Sequence, residues 1–210
     1  DMAILFFAFK CQIYFYNRNM ILTLTLNDFR NHKMGRVLTR GAKNIIITGP
    51  NGSGKTAILE AVSMLCGDRG LRAAPMNEIS RFDGSGGFSV FAGLPDETEV
   101  SVYYTAGESN RRARIDRDNA ALSNLSNHLR IVWLTPREDR LFVESASDRR
   151  AFLDRLVSSF DTVHSGRVAK LSKLLSERGF ALKNNADDNW LRAIETQIAS
   201  TAIAVAAARI

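Results

Sequence analysis

From Met20 the chain alternates, with Leu22, Leu24 and Leu26 set against Thr23 and Thr25. That period of two predicts a half-buried strand. A turn-like NDFRNHKMG follows (27–35), and then a second predicted strand around Arg36–Thr39. The short β-branched run NIIIT at 44–48 reads as a buried strand. The period then lengthens: TAILEAVSMLCG (56–67) puts Ile58, Leu59, Val62 and Leu65 at helical spacing. Residues 83–107 predict a hairpin turning at Leu94-Pro95-Asp96-Glu97. Arg111–Ile115 adds a further strand, with a turn at Asp116–Asn119. IVWL (131–134) predicts another buried strand, ended by Pro136. From Ser147 to Ile210 the pattern is helical, broken near Asp161 and between Gly179 and Asp187.

These shifts divide the chain into an extension (1–19), a sheet lobe (20–146) and a helical lobe (147–210). The apolar run from Met2 to Phe9 is too short to cross a bilayer, and Asp1 is no start for a signal peptide. The expectation is that the native protein starts at Met20 and that residues 1–19 are upstream or appended sequence; an extra edge strand is the alternative. At the other end, TAIAVAAARI carries no capping glycine or proline, which predicts a truncated helix.

Composition changes this picture little. Hydrophobic residues make up 45% of the 210 and charged residues 24%, as in ordinary globular domains. A net charge of +6 makes nucleic acid a candidate partner without requiring one. Two cysteines, Cys11 and Cys66, give no CxxC and no Cys/His cluster, which fits a reducing cytoplasm and no structural zinc. His32, His128 and His164 are scattered and suggest no chemistry.

The chemistry lies in ITGPNGSGKTAILEA (47–61). Gly49-Pro50-Asn51-Gly52-Ser53-Gly54-Lys55-Thr56 fits G-x-x-x-x-G-K-[ST] and stands between a predicted strand and a predicted helix. Glycines allow backbone N–H groups to curl around phosphate oxygens, and the helix start presents unpaired N–H groups to the same charge. Lys55 would reach the β- and γ-phosphates, and the Thr56 hydroxyl would sit on Mg²⁺. ATP or GTP binding follows; no N-K-x-D base-reading motif is present to favour GTP.

PNGSGKT resembles the loop of the ABC and SMC ATPase superfamily. Further stretches narrow the likeness: NDFRNH (27–32), GLRAAPMNEISRF (70–82), the WLTP loop and DRRAFLDRLV (148–157). Together they resemble the bacterial RecF family, in which a proline after a strand is followed at this spacing by paired arginines and an aromatic-Leu-Asp. Here these are Pro136, Arg149-Arg150 and Phe152-Leu153-Asp154. SERGFALKNNADDNWLRAIETQIA (176–199) is similar to that family's arm helices. The chain departs from the family at Glu144-Ser145-Ala146, where Gly-x-Pro is usual, and at Arg137, where an acid is usual.

The resemblance implies an α/β P-loop NTPase of the ABC/SMC head type: a mixed sheet lobe bearing the Walker A loop, plus a helical arm lobe. The C-terminal part of the head, with the signature motif and Walker B, is expected to be missing, so the catalytic acid is absent here. Weak ATP hydrolysis is implied for the complete protein only. Further implications are ATP and Mg as cofactors and an ATP-dependent homodimer. The family binds single-stranded and gapped or double-stranded DNA in recombinational repair, and helps load RecA with RecO- and RecR-type partners. Asn51 to Thr56 would be nucleotide contacts, and Arg30 would lie near the nucleotide. For DNA, the candidate cations are Arg69, Arg72, Arg81, Arg111, Arg112 and Arg114, all at predicted loop or hairpin positions. The competing readings are an ABC-transporter ATP-binding subunit and a small-molecule P-loop kinase. The first would want a glutamine-bearing loop in 134–147, which has none; the second would not need the long arm-like tail.

Overall fold

The computed structural model describes residues 3–7, 12–16, 20–67, 70–135, 141–143 and 145–210. The Arg69 candidate, the strand-ending Pro136 and the departures at Arg137 and Glu144 lie outside these residues. The chain forms two compact units, residues 1–140 and 141–210.

The first unit holds two sheets. Strands β1 (Ala3–Phe7), β2 (Gln12–Tyr16), β5 (Asn44–Ile47) and β10 (Arg130–Leu134) form a mixed sheet of order β10-β2-β1-β5. Its β1–β5 pairing is parallel, and the other two are antiparallel. The β1 and β2 strands thus lie inside a sheet, between β5 and β10, and not at its edge. The second sheet is antiparallel throughout, of order β4-β3-β6-β7-β8-β9. It is built from β3 (Thr23–Phe29), β4 (His32–Leu38), β6 (Phe88–Gly93), β7 (Glu99–Tyr104), β8 (Arg112–Ile115) and β9 (Asp118–Ala120).

Alternation decides which face is buried. Leu24, Leu26, Val90, Ala92, Val100, Val102 and Ala113 point inward from the antiparallel sheet. They share one core with helix α1 (Lys55–Met64) and with Ile131 and Trp133 of β10. Helix α1 is buried nearly all round, the polar Glu60 and Ser63 included. Two single-turn helices, α2 (Met76–Ile79) and α3 (Leu125–His128), bring Ile79 and Leu125 into the same core.

Strand β5 departs from expectation. The run reads as a buried strand, yet only Ile45 and Ile47 pack on the core, while Ile46 is 65% exposed. The core covers one face of this strand, so alternate residues face outward. Strand β4 also begins earlier than its apolar pattern suggests, at His32, because Phe29 pairs directly with His32 across a two-residue turn.

The second unit is helical: α4 (Ala146–Ser158), α5 (His164–Lys183) and α6 (Asp188–Ala208). Ser145 caps α4, its hydroxyl accepting from the Asp148 N–H, and Asp187 caps α6 in the same way through Asn189. Arg178 of α5 pairs with Glu195 of α6 at 2.8 Å. Of the apolar residues of α4, Phe152, Leu156 and Val157 are half-buried, whereas Leu153 is 38% exposed. Asp154 takes the inner role instead: it accepts from Arg209 Nε and Nη2, each at 2.8 Å, and from His164 Nε2 at 2.8 Å.

Candidate nucleotide-binding site

The glycine loop runs from the end of β5 to the start of α1, and residues 49–53 are exposed. Gly54 precedes the helix at φ 89, the left-handed region where a side chain is strained. No side chain caps α1 and its first turn carries no acid. Its leading N–H groups therefore have no side-chain acceptor competing with an anion. Lys55 curls back over the loop, its Nζ donating to the carbonyls of Gly49 (2.8 Å) and Pro50 (2.7 Å). Thr56 follows it, half-buried in the first turn. The cradle and its cation match a phosphate group. Among the described residues no group of three or more His, Cys, Asp and Glu could hold a metal. From this loop, the Thr56 hydroxyl is the side chain that would reach a Mg²⁺ bound with the phosphates.

Arg30 sits beside the loop but spends its guanidinium elsewhere. Nε and Nη2 donate to the two carboxylate oxygens of Glu60, and Nη1 donates to the Glu78 carbonyl. The next two residues reach the loop itself: Asn31 Nδ2 donates to Gly52 O at 3.0 Å, and His32 Nε2 lies 3.3 Å from Gly54 O. Sequence reasoning missed Glu60, Asn31 and His32. One signal was available, since a lone acid between Leu59 and Ala61 in an apolar helix requires a buried cationic partner.

The proposed DNA cations separate. Arg111 is a correction: expected on the surface, it is 8% exposed and donates through Nη2 to the Gly67 carbonyl. Arg81 is tied to Asp28 and Asp83. That bond to Arg81, with the Ser85 N–H and hydroxyl, holds the Asp28 carboxyl below its usual value against slight desolvation. Arg72 is half-exposed, 3.9 Å from Glu60. Arg112 and Arg114 project from the same side of β8 and are exposed. Arg112 pairs with Glu108, and Arg114 lies 4.6 Å over the Tyr103 ring.

A family model described as an AAA domain matches residues 23–198. The DNA replication and repair protein RecF of Rhizobium leguminosarum bv. trifolii is 42% identical over 193 residues, covering 89% of this chain and 51% of that protein. RecF of Mesorhizobium japonicum is 43% identical over 197 residues, covering 90% and 52%. A solved structure of the recombination mediator protein RecF-ATPrS in the RecFOR pathway superposes with a TM-score of 0.77 at 20% identity, over 92% of this chain and 54% of that one. The fold is therefore that of RecF, and the chain spans about half the length of the curated relatives it matches. By the match over 23–198 the chain belongs to the AAA domain family, and by its 42–43% identity to these proteins it is a RecF homologue.

Proposed function

We propose that residues 49–56 bind ATP with Mg²⁺, and that in the whole protein this binding controls attachment to DNA during recombinational repair. The observation that carries the reading is the exposed glycine loop with Lys55 folded across it at the start of an uncapped helix. Lys55 would exchange the Gly49 and Pro50 carbonyls for phosphate oxygens, a stronger, charge-assisted pairing. Thr56 would hold the metal, which neutralises charge on the phosphates. Relatives described as replication and repair proteins and as a recombination mediator supply the setting. In that setting the chain acts in the cytoplasm as part of an ATP-dependent homodimer. It works with RecO- and RecR-type partners on single-stranded or gapped DNA and promotes RecA loading. Arg112 and Arg114 are the exposed cations best placed for phosphate contacts, and Arg72 is a third.

Filter binding of gapped DNA by the complete protein, with and without ATP, tests this. Retention should rise with ATP and lose that rise in Lys55→Arg; equal retention under all conditions would sink the reading.

A further inference from the structure

The turn between β3 and β4 consists of two residues, Arg30 and Asn31, closed by the Phe29–His32 pair. Arg30 adopts φ 53, a conformation that non-glycine residues avoid unless their surroundings impose it. Here the surroundings do. The Arg30 N–H donates to Ile79 O at 2.7 Å, and its guanidinium is fixed to Glu60 and to the Glu78 carbonyl. The turn is thus anchored to α1 and α2 independently of the glycine loop.

From this anchored turn two side chains reach the loop carbonyls, Asn31 to Gly52 and His32 to Gly54. Both side chains are at least partly exposed, so water could have satisfied them. The fit is close: a Cβ at Gly54 would lie 2.3 Å from His32 Nε2 and 2.7 Å from Asn31 Oδ1. The carbonyl of Gly54 can only accept, so His32 presents an N–H at Nε2.

In a planar trans peptide the C=O and N–H point in opposite directions. Fixing the Gly52 carbonyl therefore fixes the Ser53 N–H, and fixing the Gly54 carbonyl fixes the Lys55 N–H. The Ser53 N–H donates only a long 3.3 Å bond, to Pro50 O within the loop, which a phosphate oxygen could replace. The Gly54 carbonyl also accepts the first helical bond, from Ile58 at 3.1 Å, so the Lys55 N–H points out of the helix start.

We propose, on the reading of 49–56 as a nucleotide site, that Asn31 and His32 are positioning residues that brace this loop. By pinning two of its carbonyls they aim two of its N–H groups at the phosphates before nucleotide arrives. Preorganised donors bind more tightly because their ordering cost is already met.

The test is isothermal titration of this chain with MgATP, beside urea unfolding of each variant. His32→Phe keeps ring volume and removes the donor; His32→Gln restores an N–H of similar reach. His32→Phe should bind about fivefold more weakly, the loss of one ordinary hydrogen bond, with His32→Gln within about twofold of the parent. Asn31→Ala, at an exposed position, should also weaken binding about fivefold, and it supplies the same test if the ring change disturbs folding. Lys55→Ala separates the two levels of the reading. If it loses binding while His32→Phe and Asn31→Ala match the parent, the brace is overturned and the nucleotide site stands. A His32→Phe loss that His32→Gln fails to restore shows packing, and overturns the hydrogen-bond brace. A parent chain that does not take up MgATP overturns both.

Discussion

Glu60, 1% exposed in helix α1, accepts two hydrogen bonds from the Arg30 guanidinium, 2.8 Å from Nε and 2.6 Å from Nη2. The pair fastens the turn that carries Asn31 and His32 to the helix that follows the glycine loop. Removing Arg30 leaves the buried Glu60 charge facing only the half-exposed Arg72, 3.9 Å away, which costs up to about 3–5 kcal/mol. Arg30→Met should therefore lower unfolding stability by about that much, and Arg30→Met with Glu60→Gln should recover part of the loss. Urea titrations decide it; a double variant no more stable than the single one would contradict a coupled pair.

Burial separates Arg111 from its neighbours. Arg111→Ala should cost about 1–3 kcal/mol of stability, because the Gly67 carbonyl loses its donor inside the fold. Arg112→Ala and Arg114→Ala should change stability by no more than about 0.5 kcal/mol. In the complete protein each should instead weaken DNA binding at all sequences and lower the salt slope by about one. The checks are melting curves beside DNA titrations over a range of salt. Unchanged slopes in both surface variants would remove β8 from the DNA face.

In the helical unit, burial disfavours the Asp154 charge, but the bonds from Arg209 and His164 outweigh it and hold the carboxyl below its ordinary 3.8. Arg209 is correspondingly raised by its bond to Asp154 and stays charged at every working pH. A lowered carboxylate contributes stability above its unfolded value and loses it as pH falls through the folded one. The stability gap between the parent chain and Asp154→Asn should accordingly be fully present above pH 3.8 and shrink as pH falls below it. Thermal midpoints across that range measure it; a gap that is constant with pH would contradict the clasp.

Much of this was legible in the sequence where a local rule sufficed. Alternation at Leu22–Leu26 and the glycine loop before Ile58 and Leu59 located the β3 strand and the start of α1. Turn residues at Leu94–Glu97 set the β6–β7 hairpin. What escaped depends on contacts far apart in the chain. Nothing near Arg30 announces that Glu60 will take its charge, and nothing near Arg111 that Gly67 will accept from it. His32 and His164 looked idle for the same reason: one faces Gly54, the other Asp154, and each partnership exists only once the helices are in place. Exposure at Ile46 also needed the fold, because an isoleucine run looks the same whether one face or both are covered.

The central claim is that Lys55 and its loop hold the phosphates of ATP. Equilibrium dialysis of labelled ATP with Mg²⁺ against the parent chain and Lys55→Ala addresses it most directly. A charged hydrogen bond to phosphate is worth about 1.5–3 kcal/mol, so the variant should bind about ten- to a hundredfold more weakly with its fold intact. Equal affinity in the two proteins would contradict the account.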